Sequence, residues 1–249
     1  MSAQYTNDYL LDKKVKIFQP VDGYRASADA VMLSAAVSNK LQSARILDVG
    51  SGTGAVSLCL AQRLQNHNVE IIGAEIQPLL AELANLSARE NGFDFLQYYR
   101  ADIRQKLDKN IFRPCSFDVV ISNPPYSDHD MPSPQKSKAT AHNLAEIHLS
   151  DWLAFCLKMA KPFGKIYMVN RAEALPHICT ALQNKAGGLT VWPIYSKPNQ
   201  DAKRIIVCAQ KDSKAPCCIK TPFVVHNESG DYTPQAQKVL REGLCFDDL

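Results

Sequence analysis

Nowhere in the 249 residues does an apolar run reach the ~20 positions a helix needs to cross a bilayer. The opening Met-Ser-Ala-Gln-Tyr-Thr-Asn-Asp has no basic flank followed by an apolar stretch. A soluble cytoplasmic protein is expected. Among eight cysteines there is no C-x-x-C pair, and several stand inside apolar runs. Buried free thiols are therefore expected rather than disulfides or metal ligands. The neighbours Cys217 and Cys218, with His226 further on, fit no usual zinc spacing, so no metal is expected. There is no internal repeat and no low-complexity tract. The net charge of +3 is too small to name a partner by itself.

What is present is a chain of 27.6 kDa, 46% hydrophobic and 21% charged, enough to bury a full core in one main domain. Its charge is unevenly placed. Between residues 158 and 220, 11 lysines and arginines face 3 acids, a local net of +8 against −5 for the rest. A basic C-terminal half on a mildly acidic body points to a phosphate-bearing partner.

Apolar β-branched runs alternate with helical patterns, the signature of βαβ units and a parallel sheet. Strands are predicted at 45–49, 69–74, 95–99, 117–121, 165–169, 189–195 and 203–208. Helices are predicted at 55–64, from Pro78 to the Asn91-Gly92 stop, from an N-cap at Ser150 to Lys161, and at 175–185. A polar turn at 196–200 makes the last two strands a hairpin. The expected fold is α/β and Rossmann-like: a seven-stranded mixed sheet, mostly parallel, with helices on both faces. Residues 45–210 form this domain, 1–44 precede it, and 211–249 form an extension packed on it. Residues 127–142 and 211–222 are expected to be long loops, a length usually tied to function or mobility.

Between the first strand and its helix lies Asp48-Val49-Gly50-Ser51-Gly52-Thr53-Gly54. Glycines here allow a sharp turn and close backbone approach to a ligand at a helix N-terminus. The spacing Gly50-x-Gly52-x-x-Ala55 fits a dinucleotide fingerprint equally well. Glu75, ending the second strand, is placed for ribose hydroxyls, which NAD and S-adenosylmethionine share. Asp102, ending the third, is placed for an adenine amino group. After the fourth strand comes Ser122-Asn123-Pro124-Pro125-Tyr126. Two prolines in succession end a strand in a stiff, shaped loop.

These features together resemble the class I S-adenosylmethionine-dependent methyltransferases that act on exocyclic or amide nitrogens, over roughly residues 45–210. The resemblance implies a cofactor site of Asp48, Gly50, Gly52, Gly54, Glu75, Ile76, Asp102, Ile103 and Asn123. It also implies catalysis by Asn123, Pro124 and Tyr126. An adenine amino nitrogen is a poor nucleophile because its lone pair is conjugated into the ring. Two acceptors, the Asn123 side-chain oxygen and the Pro124 carbonyl, aim that lone pair and stabilise the charge developing on nitrogen. Tyr126 offers a face for an unstacked base. Gly23-Tyr24-Arg25 and the segment from Asp29 are similar to the bacterial tRNA-valine adenine N6-methyltransferase family. There residues 1–44 would cover the cofactor, with Tyr24, Arg25 and Asp29 in its pocket; Ser27 or Asp29 also serves as a helix cap. The Lys203-Arg204-Ile205-Ile206-Val207 strand and the 226–234 stretch resemble that family too. Ser196-Lys197-Pro198 departs from its pattern. The expected partner is tRNA, contacted by Lys136, Lys138, Lys197, Lys203 and Arg204, with the protein a monomer or homodimer.

Other readings remain at this stage. A glutamine amide of a translation factor poses the same electronic problem, but such enzymes carry a helical N-terminal domain and only ~44 residues precede the first strand. An rRNA base amine is a further alternative. A DNA adenine methyltransferase would need a target-recognition domain. A non-catalytic module would not need the Asn-Pro-Pro-Tyr clamp, and an NAD oxidoreductase would need a proton donor that is not evident.

Overall fold

The computed structural model describes residues 5–23, 25–125 and 147–249. Two strands, β1 (Tyr5–Leu10) and β2 (Val15–Pro20), form an antiparallel hairpin. Helix α1 (Ala28–Ala36) follows. Then come β3 (Ser43–Val49), α2 (Ala55–Leu64), β4 (Asn68–Glu75), α3 (Pro78–Glu90), β5 (Leu96–Arg100) and β6 (Phe117–Ser122). The chain continues with α4 (Leu149–Met159), β7 (Ala160–Arg171), α5 (Leu175–Leu182), β8 (Ala186–Tyr195) and β9 (Arg204–Lys211). Short strands β10 (Cys218–Ile219) and β11 (Phe223–Val224) and the turn of helix α6 (Pro234–Gln237) close it.

Among the described residues one sheet holds nine strands in the order β10-β8-β9-β7-β6-β3-β4-β5, with β11 also on β8. The pairs β3/β4, β3/β6, β4/β5 and β6/β7 are parallel, while β9 runs antiparallel to both β7 and β8. The seven predicted strands are all present. The two additional ones are two residues long, too short to show a period; β10 falls in the stretch read as a loop and β11 directly after it.

Apolar residues alternate across the sheet because successive side chains point to opposite faces. Ile46 joins the core under α1–α3, with Leu33, Leu58 and Leu64; Leu47 joins the one under α4 and α5, with Leu153 and Ile178. Both faces are covered, as a parallel sheet requires. Leu11, Val15 and Ile17 near the N-terminus, and Phe223, Val225, Ala236 and Val239 near the C-terminus, belong to the first of these cores.

The hairpin was missed in the sequence. Its turn has Leu11, Asp12 and Lys13 at φ of 50°, 53° and 70° with no glycine to mark it. Strand β2 is tied to α3 by side chains: Asn91 accepts from Lys16 N–H at 2.9 Å and donates to Lys16 C=O at 2.7 Å, and Ser87 accepts from Phe18 N–H at 3.0 Å. Two cap predictions change. Helix α4 starts behind His148, placing Ser150 inside it, and Ser27 stands at the N-cap of α1 without a side-chain cap bond. Of the cysteines, Cys59, Cys156, Cys208 and Cys245 are buried free thiols. Cys115, Cys179, Cys217 and Cys218 are free but exposed, contrary to the expectation of burial.

Candidate functional site

The connections leaving β3 run to one side of the sheet, through β4 and β5, and those leaving β6 run to the other, through β7. A crevice opens where the order reverses, at the carboxyl ends of the strands. Register aligns those ends: Val49 pairs with both Ala74 and Ser122, and Glu75 with Arg100. The residues that follow, Gly50, Ile76, Ala101 and Asn123, therefore open onto the same rim. A cavity of about 500 Å³ occupies it, lined among others by Arg25, Asp29, Gly50, Gly52, Glu75, Ile76, Asp102, Ile103, Asn123 and Pro124.

The glycine loop is held from below. Gly50 and Ser51 N–H both donate to Ala74 C=O, and Gly52 N–H donates to Glu75 Oε2 at 2.8 Å. Gln77 N–H takes the other oxygen, Oε1, at 2.8 Å. Burial raises the Glu75 carboxyl above its ordinary value, and these backbone donors oppose the shift. A carboxylate offers about four acceptor sites. The Ile76 N–H is a further backbone donor to this carboxylate, and the acceptor capacity that remains toward the cavity suits ligand hydroxyls.

The missing side chains of the loop have specific occupants. A Cβ on Gly50 would lie 2.8 Å from Trp152, and one on Gly54 would lie 2.3 Å from the Tyr98 hydroxyl. Gly54 also has φ +85° as it starts α2. Part of the room read as ligand approach is thus filled by aromatic rings from α4 and β5.

Asp48 and Gly54, expected at the cofactor, do not line the cavity. Asp48 is 1% exposed beneath the loop, where Ser57 Oγ donates to its Oδ2 at 2.7 Å and its Oδ1 has no partner. Burial pushes its carboxyl up to about 7. Alternation along β3 explains the placement: Asp48 faces the α2 side while the loop continues upward from Val49. Its work is internal, through Ser57 and Tyr98, whose hydroxyls lie 2.9 Å apart.

Asp102 is on the wall but engaged. Its Oδ1 accepts from Arg104 N–H and Nε, and its Oδ2 from Arg104 Nη2 and Gln105 Nε2. Hydrogen bonding from the Arg104 side chain holds this carboxyl below its ordinary value. Meeting an adenine amino group would require one of these donors, most readily Gln105 at 3.2 Å, to give way.

Arg25 reaches the cavity from the hairpin, with Nη2 2.7 Å from Asp8 and Nη1 3.1 Å from Thr6. Asp29 pairs with Arg204 Nε at 3.2 Å, so Arg204, expected on RNA, faces the cavity's own acid. Lys203 is exposed and Lys197 half-buried in the β8–β9 turn. Tyr24, Tyr126, Lys136 and Lys138 lie outside the described residues.

Sequence reading missed Trp152, taken only as part of a helix. It is 4% exposed and lines the cavity. Its Nε1 donates to Ser122 Oγ at 2.7 Å, and Ser122 Oγ donates to Val49 C=O at 2.8 Å. A Ser directly before Asn-Pro-Pro was the available signal. Leu79 and Leu80 of α3 and Pro20, Asp22 and Ser27 of the N-terminal segment also line the cavity and were not foreseen.

A family profile described as a methyltransferase domain matches residues 40–202. A tRNA1(Val) (adenine(37)-N6)-methyltransferase of Actinobacillus pleuropneumoniae is 32% identical over 187 residues, 74% of this chain and 75% of that one. One from Mannheimia succiniciproducens is 30% identical over 227 residues, 88% of this chain and 86% of its own. Among solved structures, a protein of Agrobacterium tumefaciens described as a predicted O-methyltransferase superimposes with a TM-score of 0.71 at 24% identity, covering 87% of this chain and 97% of its own. That likeness speaks for the fold. By domain and by relatives, the chain belongs to the methyltransferase domain family and to the family of these tRNA1(Val) (adenine(37)-N6)-methyltransferases.

Proposed function

We propose that the chain is an S-adenosylmethionine-dependent methyltransferase that modifies the exocyclic amino group of an adenine in the anticodon region of a tRNA. The observation that carries this reading is that Asn123 and Pro124 line the same cavity as Glu75 and the glycine loop. A ribose-matching carboxylate and an amine-matching pair of acceptors thus share one space.

When bound, S-adenosylmethionine supplies an electrophilic methyl group. The chain's own residues do the rest. Glu75 accepts from ligand hydroxyls with the acceptor capacity its backbone donors leave free. Asn123 offers a side-chain oxygen and Pro124 a backbone carbonyl to the two N–H bonds of the target amine. Two prolines keep that loop from relaxing, so the acceptors are in place before reaction, and they favour the geometry in which the nitrogen lone pair is free to attack. Trp152, held by its hydrogen bond to Ser122, supplies a fixed apolar wall beside the glycine loop. No general base is required, since the methylated amine becomes acidic and loses its proton to solvent. Tyr126 is assigned, from the sequence, to stack on the base.

The polyanionic substrate fits the +8 of residues 158–220. No helix among the described residues is long and apolar enough to cross a membrane. We further propose a cytoplasmic protein that acts as a monomer or homodimer. The test is incubation of bulk tRNA with labelled S-adenosylmethionine and the protein, followed by mass spectrometry of RNA digests, both as nucleosides and as oligonucleotides. The expected product is N6-methyladenosine at one position; label in protein alone, or none, overturns the reading.

A further inference from the structure

A second cavity, of about 600 Å³, lies against the first. The two share a wall of Pro124, Pro125, Ile147 and Trp152. Across it, at the end of β7, stands Asn170. Ser122 of β6 pairs with Met168 of β7; there β6 ends while β7 runs on to Arg171, and Asn170 lines the second cavity together with Pro124 and Pro125. Alternation puts Asn170 on the same face as Ile166 and Met168, under α4 and α5.

Asn170 is 7% exposed and lines this second cavity. Its Oδ1 accepts from Arg171 N–H at 2.8 Å. That backbone donor fixes which end of the amide is oxygen, so the NH2 is the end left over, and no described residue accepts from it. With its oxygen engaged, Asn170 presents to the cavity an amide donor for which a ligand can supply the acceptor.

We propose that the second cavity is the acceptor chamber of the reaction, and that Asn170 is a specificity-determining residue in it. Its Nδ2 donates to the ring nitrogen flanking the target amine, while that amine is held at Asn123 and Pro124. The inference rests on the reading of the site as an adenine methyltransferase. The chemistry is selective. Adenine offers an amino group with ring-nitrogen acceptors, N1 and N7, on either side of it. Guanine and uracil present a carbonyl oxygen where the amine would have to be, and would meet acceptors at Asn123 and Pro124. Cytosine has an amine beside an acceptor nitrogen but only one ring to fill the chamber.

Asn170→Asp tests this, because it keeps an oxygen for Arg171 N–H and nearly the same volume while replacing the donor with an acceptor. Using tRNA and the adenine mapped in the wild-type reaction, kcat/KM for RNA is expected to fall roughly 10- to 100-fold. Affinity for S-adenosylmethionine by calorimetry stays within about twofold. RNAs carrying 7-deazaadenine or 1-deazaadenine at that position provide the second readout. One of the two costs the wild type a similar factor and costs Asn170→Asp nothing more, because the bond is already gone. Should the Asp variant melt early, Asn170→Ser is carried through the same comparison. Wild-type turnover by a folded variant, or losses that multiply for both analogues, overturns the chamber assignment. A wild-type protein that methylates no tRNA overturns instead the function on which it rests.

Discussion

Asp48 occupies a position where a carboxylate is expensive: buried, with one oxygen unpartnered and the Glu75 charge adding to the cost. Its pKa is raised in the fold to about 7 from an ordinary value near 4. The folded state therefore favours the neutral form; the group's contribution to stability is intact below about pH 4 and is lost as pH rises through 7. Asp48→Asn removes that loss. Its unfolding free energy is expected to track the wild type near pH 4 and to exceed it by pH 8 by up to about a few kcal/mol, at ~1.4 kcal/mol per pH unit, with the thermal midpoint rising accordingly. Parallel melting curves at pH 4, 6 and 8 would mean that Asp48 is not the group responsible. At Asn123 the expectation concerns chemistry. Asn123→Ala is expected to abolish methyl transfer while calorimetry finds S-adenosylmethionine affinity within about tenfold, because the side chain is assigned chiefly to the target amine. Retained turnover there removes the proposed clamp.

The hairpin of β1 and β2 shows how one element depends on another. Its inner side is apolar, and its edge is satisfied by Ser87 of α3 and by Asn91, which caps that helix, rather than by another strand. Through Arg25, held by Asp8 and Thr6, and through Gln19, which accepts from Ala26 N–H at 2.7 Å, it fixes the chain that walls the cavity. Asn91→Ala removes the two bonds to Lys16 and is expected to cost roughly 1–3 kcal/mol. Amide hydrogen exchange should report faster opening in residues 5–20 while β3, β4 and β6 stay protected. Uniform loss of protection would instead make the hairpin part of one cooperative unit with the sheet. A weaker affinity for S-adenosylmethionine should accompany the local opening, because Arg25 loses its support.

For the molecule as a whole, the uneven charge is expected to govern the encounter with the proposed RNA substrate. Of the eleven cations between 158 and 220, Lys161 pairs with Asp118, Arg171 with Glu173 and Arg204 with Asp29. The charge available for docking is therefore smaller than the sequence suggested, though still positive. The affinity for tRNA is expected to fall with salt with a logarithmic slope steeper than about −3, corresponding to at least four phosphate contacts. Filter binding between 50 and 300 mM salt (roughly the range over which such slopes are read) measures it. A flat response would place docking elsewhere than on this half.

The order of strands and helices, the glycine loop, and the acids and the Asn-Pro-Pro stop at successive strand ends were legible in the sequence. Each depends on local chemistry: periodicity, backbone freedom at glycine, backbone restriction at proline. What each of those residues touches was not legible. That Tyr98 fills the space above Gly54 and Trp152 that beside Gly50, that Arg104 engages Asp102, and that Asp48 faces inward are outcomes of packing between segments distant in the chain. The glycine-free hairpin gave no turn signal, and the second cavity is lined jointly by residues after β6, at the end of β7 and on α4 and α5. Local rules set which elements form and which residues stand at their ends. Only the folded sheet, by bringing five strand ends and a helix from farther along the chain to one rim, decided which of them share a space.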